Sequence, residues 1–155
     1  MTIPAIQLAA ELIRRSAAHG RQPLTNLAIQ KLAYFCHGWH LALSDQPLVD
    51  EPFEAWRFGP VLPRLYHTLK VFSNNPIPET HPLVLGQNSL NQGDWSAQLI
   101  DQVLDVYGDI PTTRLVAISH NSDGPWHEAW SKGSSAWIDN GAIAKYFKQL
   151  AQRPA

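Results

Sequence analysis

Residues 26–43 read NLAIQKLAYFCHGWHLAL, and this stretch decides the fold. Thr25 stands immediately before it, and its hydroxyl suits an N-cap because it can accept from an otherwise orphaned backbone N–H. Ile29, Leu32, Cys36, Trp39 and Leu43 then form one stripe at helical spacing, while Leu27, Tyr34 and Leu41 occupy others. A helix that is apolar nearly all round has no face for water and is expected at the centre of a fold. It is not a membrane span: Gln30, Lys31, His37 and His40 interrupt it, and a span needs about 20 predominantly apolar residues. The expected architecture is therefore mainly α, a compact helical domain around a buried central helix at about 26–43, with a small β-hairpin near 48–57.

The flanks supply the partners of that helix. Pro4 is expected as the first residue of a helix whose Ala5, Leu8, Ala9, Leu12 and Ile13 recur at helical spacing, with Gly20 as the stop. Beyond the hub, Pro47, Asp50 and Pro52 break the pattern. Phe53-Glu54-Ala55-Trp56 alternates apolar and polar, so it reads as a short strand, paired with Leu48-Val49. Phe58-Gly59-Pro60 turns the chain into a helix with Pro63 in its first turn, burying Leu62, Leu65, Tyr66, Leu69 and Phe72. Ser73–Asp94 resists assignment. Its apolar run Leu83-Val84-Leu85 is expected to tack down a surface excursion, with a mobile flap beside a partner site as the sharper alternative. Further helices are expected from Asp94 to about Gly108, at about 112–119, from Gly124-Pro125 with Trp126 and Trp130, and at about 139–150 with Ile143, Tyr146, Phe147 and Leu150.

Composition bounds the function. A chain of 155 residues fits one domain, residues 1–155, that needs neither disulfide nor metal to hold its core. The net charge is -1, and the one dense basic spot, Arg14-Arg15, has Glu11 a helical turn before Arg15 and reads as a solvated ion pair. Direct nucleic-acid binding is disfavoured, because such domains concentrate positive charge against phosphates. A lone cysteine excludes an internal disulfide, and the N-terminus lacks the basic and apolar regions of a signal peptide. A cytoplasmic protein without membrane contact is expected.

The chemistry-bearing residues do not compose an obvious active site. The chain has seven histidines, and His37 and His40 lie three apart on the hub, yet zinc-finger, HExxH and CxxC spacings are absent. No metal and no cofactor are expected, and the histidines read as buried groups bonded to backbone. Cys36 and His37 are adjacent on a helix, so they point about 100° apart, and Cys36 sits in the apolar stripe where thiols are inert. Ser119, His120 and Asp123 are the right types for acyl transfer, but a triad is defined by spatial roles. The expected role of His120 is to fix the turn before Gly124-Pro125. Asp50, Glu51 and Glu54 read as a solvated hairpin edge.

Two segments do stand out. Glu54-Ala55-Trp56-Arg57-Phe58-Gly59-Pro60 joins aromatics, an arginine and a rigid turn, the anchors that interfaces favour. Ser119-His120 with Gly124-Pro125-Trp126 is similar, and core packing at tight turns explains either segment equally well. With Lys31-Leu32-Ala33-Tyr34-Phe35, Gly38-Trp39-His40-Leu41-Ala42, Leu65-Tyr66, Tyr107-Gly108, Leu115 and Tyr146-Phe147, these segments resemble the Panacea, or SocA-like, antitoxin domain over about residues 5–150.

The resemblance implies a mainly helical domain of phage-associated and mobile-element proteins. It implies an antitoxin of a toxin–antitoxin pair that neutralises a cognate toxin, encoded by a neighbouring gene, through direct protein binding. An adaptor delivering the toxin to a AAA+ protease is the alternative mode. Some relatives carry an extra DNA-binding segment, for which a chain of this length is expected to have no room. The family offers no catalytic residues to carry over, so the chain is expected not to be an enzyme. The partner-binding residues are expected among Trp56, Arg57, Phe58, Trp39, His40, His120 and Trp126. The reading from another class is a small hydrolase or transferase using His120 with Ser119, or Cys36 with a distant histidine.

Overall fold

The computed structural model describes residues 2–153, and the hub stretch forms one helix within it, α2 (Asn26–Ser44). Thr25 caps it as expected, its Oγ1 accepting from the Ala28 amide at 3.3 Å. Helices α1 (Ala5–Ala18), α5 (Trp95–Tyr107), α6 (Thr112–Ser119) and α8 (Asn140–Gln152) pack around it. Residues Ala28 to Gly38 are all buried. The last turn departs from the expected stripe, because Leu43 faces outward and is 56% exposed. Gly38 sets the closest approach: a Cβ there would drive into the Phe147 ring of α8. That ring stands edge-on to Tyr34 at 5.6 Å and to Trp39 at 5.3 Å, while Phe35 stacks on Tyr107 at 4.3 Å.

The remaining elements are β1 (Phe53–Trp56), β2 (Gly59–Val61), α3 (Pro63–Leu69) running into a 3-10 turn (Lys70–Phe72), α4 (Pro82–Leu85), α7 (Pro125–Lys132) and β3 (Ala136–Ile138). The strands form one antiparallel sheet in the order β2-β1-β3. This corrects the expected pairing of β1 with Leu48-Val49. The hairpin partner is β2, with Glu54 opposite Val61 and Trp56 opposite Gly59. The other edge is taken by β3, with Phe53 opposite Ile138 and Glu54 opposite Trp137. Leu48-Val49 instead meets the N-terminus: Val49 makes an isolated parallel bridge with Ile3, whose amide donates to the Leu48 carbonyl at 2.9 Å.

Polar ties organise the rest. Pro4 is the N-cap of α1 rather than its first helical residue, and Glu51 receives the Ala5 amide at 3.1 Å, so this carboxylate caps a helix instead of decorating a solvated edge. The Glu11–Arg15 pair is buried, not solvated: the two side chains meet at 2.8 Å and Arg15 continues to Asp101 at 2.8 Å. The 73–94 excursion holds only the short helix α4. Of its apolar run, Val84 alone is buried, with Ile77 a second apolar anchor. Arg14 fastens it to α1 by donating to the Val84 carbonyl at 2.9 Å and the Gln87 carbonyl at 3.2 Å, and Glu11 accepts from the Leu90 amide at 2.7 Å.

Candidate functional site

The polar residues that interrupt the hub are the ones that build the site. Along one edge of α2, Asn26 donates to the Tyr66 carbonyl at 3.1 Å, Gln30 accepts from the Leu62 amide at 2.9 Å, and Gln30 donates to Asn26 at 3.1 Å. Lys31, fully buried, donates to the Pro60 carbonyl at 2.6 Å. The segment leaving β2 therefore has its buried backbone groups satisfied by helix side chains, as buried polar groups require. Burial pushes the Lys31 amine down to about 7.

The opposite side is held by the second sequence segment. The Trp126 indole N–H donates to the Trp56 carbonyl at 2.7 Å. Gly59 has φ +111, and a Cβ there would stand 2.5 Å from Ser119 Oγ and 2.9 Å from Lys31 Cε. Only glycine meets both the conformation and the space. Lys31, the 54–60 segment and the Ser119–Trp126 segment, far apart in sequence, thus converge on one turn.

What this strapping presents is the hairpin. Trp56 is half-buried, its indole donating to Glu54 at 2.9 Å and its ring meeting Tyr66 edge-on at 5.0 Å. Arg57 and Phe58 form the exposed tip, the guanidinium carbon 5.4 Å from the ring centroid. Register places Trp137, 74% exposed, on the same outer face as Glu54 and Trp56.

The other expected site residues lie elsewhere. Trp126 is buried and His120 half-buried; they stack at 3.9 Å beneath the hairpin, and Trp130 extends the stack. Trp39 and His40 lie at the far end of α2, about 12 Å along the axis from Lys31. Trp39 donates to the Tyr107 hydroxyl at 3.1 Å and edges an apolar groove of about 180 Å³ with Leu43, Val103 and Val106. His40 is buried, donating to the Gln46 carbonyl at 2.6 Å and accepting from Ser96 at 3.2 Å. Of the seven residues, Trp56, Arg57 and Phe58 form the surface, Trp126 and His120 buttress it, and Trp39 and His40 are apart from it.

The groups weighed for catalysis are not brought together. Ser119 Oγ donates to the Val116 carbonyl at 2.7 Å, and His120 Nε2 is buried without a partner among the described residues. Burial, and then the Lys31 charge, lower the His120 pKa. Cys36 is fully buried, which pushes its thiol far up. His37 donates from Nε2 to Asn140 at 2.9 Å and accepts from the Val49 amide at 3.4 Å, and burial pushes it down to about 4. Among the described residues no group of three His, Cys, Asp or Glu could hold a metal, and no helix is long and apolar enough to cross a membrane.

The sequence reading missed Trp137, because nothing local to a three-residue strand announces a partner some 80 residues away. It read Gln30 only as an interruption of the apolar helix, and Lys31 as an interruption and the start of a family-like segment, without assigning either a buried partner. Adjacent Gln30 and Lys31 inside a largely apolar helix were the available signal that something buried needed them.

Fold and site together define a mainly helical domain whose central helix carries a buttressed, aromatic β-hairpin. Residues 29–127 match the family described as antitoxin SocA-like, Panacea domain, and the chain belongs to that family. The match is narrower than residues 5–150, but it contains Gln30, Lys31 and Trp126, which hold the base of the hairpin. The chain is similar to Antitoxin SocA of Caulobacter vibrioides (strain NA1000 / CB15N), 37% identical over 129 residues, which is 76% of this chain and 65% of that relative. It therefore spans just under two thirds of that relative's length. No solved structure matches the chain.

Proposed function

We propose that this protein is an antitoxin that neutralises a cognate toxin, encoded by a neighbouring gene, by direct protein–protein binding through the Trp56–Arg57–Phe58 hairpin. The observation that carries the reading is the hairpin itself. Its base is fixed by Lys31, Gln30 and Trp126, while Arg57 and Phe58 reach solvent, Phe58 being 55% exposed. Pre-organisation of this kind lowers the entropy lost on binding, and Arg and aromatic residues are the side chains that dominate interfaces. Membership of the SocA-like antitoxin family supports a toxin as the partner. A non-catalytic role agrees with the separate hydrogen bonding of Ser119 and the burial of Cys36.

The test is bacterial growth on inducing the neighbouring reading frame alone and together with this protein, followed by a pull-down. Growth should fail in the first case and recover in the second. The Arg57→Ala/Phe58→Ala protein should lose both rescue and pull-down while its thermal melt stays within a few degrees of wild type, because both side chains are exposed. A double variant that rescues fully places the contact surface elsewhere. Toxin abundance in the rescued cells separates the modes: a steady level means inhibition, a falling one means delivery to a protease.

A further inference from the structure

Beside the hairpin lies a groove of about 400 Å³, walled by Leu27, Tyr66 and Thr112, with Phe58 at its lip and Lys70 and Asn74 along it. Its apolar walls accommodate one or two side chains, within the range of about 300–1,000 Å³ typical of binding pockets. Around it the charge is one-sided. Arg57 leans on the Phe58 ring and Lys70 lines the groove. From Ala55 to Pro78 the chain holds no carboxylate at all.

This is not a general surplus, since the whole chain carries a net charge of -1. Elsewhere several cations are answered, Arg14 and Arg15 by Glu11, Arg21 by Asp105 and Lys148 by Asp45, while Lys145 and Arg153 on the far helix make no ion pair among the described residues. Among the described residues, neither Arg57 nor Lys70 has a carboxylate within ion-pair distance. The first turn of the nineteen-residue α2, at Asn26 and Leu27, adds the positive end of a helix to the same wall.

We infer that this groove receives an acidic peptide segment of the protein partner, one apolar side chain seated between Leu27, Phe58 and Tyr66 and flanking carboxylates met by Arg57 and Lys70. The inference rests on reading the hairpin as the contact surface and names the chemistry that surface takes. A peptide suits the site better than a nucleic acid. Lys70 and, beside Phe58, Arg57 stand at a single pocket whose wall offers Thr, Asn and Ser hydrogen bonds, whereas nucleic acid binding draws on a row of phosphate contacts. Exposed charges of this kind act mainly by steering and selecting partners, and salt screens them.

The test is selection of short random peptides displayed against the full chain, which needs no knowledge of the toxin. Enriched peptides should carry Asp or Glu on both sides of a Leu, Phe or Trp and weaken as salt is raised. They should lose at least about tenfold in affinity for the Arg57→Glu/Lys70→Glu protein, two charge reversals in one site. Lys145→Glu, an exposed reversal on α8, should leave affinity unchanged, and the single variants Arg57→Ala and Lys70→Ala should show intermediate losses. Matched melts establish that each variant is folded. The inference is overturned by enrichment of neutral or basic peptides, by no enrichment, by equal binding to the charge-reversed protein, or by single-stranded oligouridine binding more tightly than the peptides. Toxin rescue without acidic selection sinks the inference alone, and acidic selection without toxin rescue sinks the antitoxin reading alone.

Discussion

Lys31 sets the terms on which the hairpin is held. A buried ammonium usually has a carboxylate beside it, yet here the only acceptor among the described residues is the Pro60 carbonyl at 2.6 Å. Burial lowers its pKa from 10.5 to about 7, so the charged form is disfavoured in the fold by about 1.4 kcal/mol for each unit of that difference. The unfolded chain keeps the lysine protonated up to about 10.5, and the folded chain releases it from about 7. Between those values the unfolded state binds more protons, so this residue's contribution to stability rises with pH, and its penalty is full below 7. Lys31→Met removes the charge and keeps the volume, at the cost of about 1–3 kcal/mol for a Pro60 carbonyl left without its donor. The larger effect is the relief of the buried charge. The variant should therefore melt above wild type at pH 6, with the gap shrinking by pH 9, while toxin rescue weakens because the hairpin has lost a strap. Melts at the two pH values decide it, and a variant less stable than wild type at pH 6 would contradict the account of Lys31.

At the level of elements, the contact between α2 and α8 is governed by what Gly38 lacks. Helix propensity alone favours alanine there by about 1 kcal/mol. Against this, a Cβ would enter the Phe147 ring, which is itself confined by Tyr34, Phe35 and Trp39. Overpacking of that kind costs about 1–3 kcal/mol, so the steric term wins and Gly38→Ala should lower the melting temperature. Phe147→Leu in the same chain should recover part of the loss, measured as a positive coupling in a double-mutant cycle. The sequence made the helices legible because their signals are local: Thr25 before α2, the 3.6-residue recurrence in α1, the prolines and glycines between elements. Gly38 gave no such signal, since the ring it admits belongs to a helix about a hundred residues on. The strand at 53–56 was legible, but its pairing was not, for the same reason. A four-residue strand such as β1 has too little pattern to name its partner, and Leu48-Val49 was merely the nearest apolar pair. The site was half legible. Aromatics, an arginine and a glycine-proline turn mark the hairpin within seven residues, but the groove beside it is walled by residues as far apart as Leu27, Tyr66, Lys70 and Thr112, which meet only when the chain folds.

For the whole molecule, the stretch that matches the family and the unit that folds are different things. The matched residues, 29–127, hold the hairpin, its three straps and most of α2, but they stop before β3 and α8. Ile143 and Phe147 of α8 are fully buried, and Tyr146 nearly so, with the Phe147 ring set against Tyr34, Phe35 and Trp39 of the hub. Loss of a buried Phe side chain alone costs about 3–5 kcal/mol, and a domain of this size has about 5–15 kcal/mol in hand. Removing α8 deletes Phe147, Ile143 and Tyr146 together and leaves the apolar side of α2 facing water. It also removes Asn140, the acceptor of the His37 Nε2–H, from a histidine that the fold keeps neutral. A chain ending at Asp139 should therefore show no cooperative thermal transition and should bind a dye for exposed apolar surface, although every residue of the hairpin and its straps is still present. Toxin rescue should vanish with it. A truncated chain that melts cooperatively and still rescues would mean that the straps from α2 and Trp126 suffice to hold the hairpin, and that α8 stabilises the hub without being needed for the surface it supports.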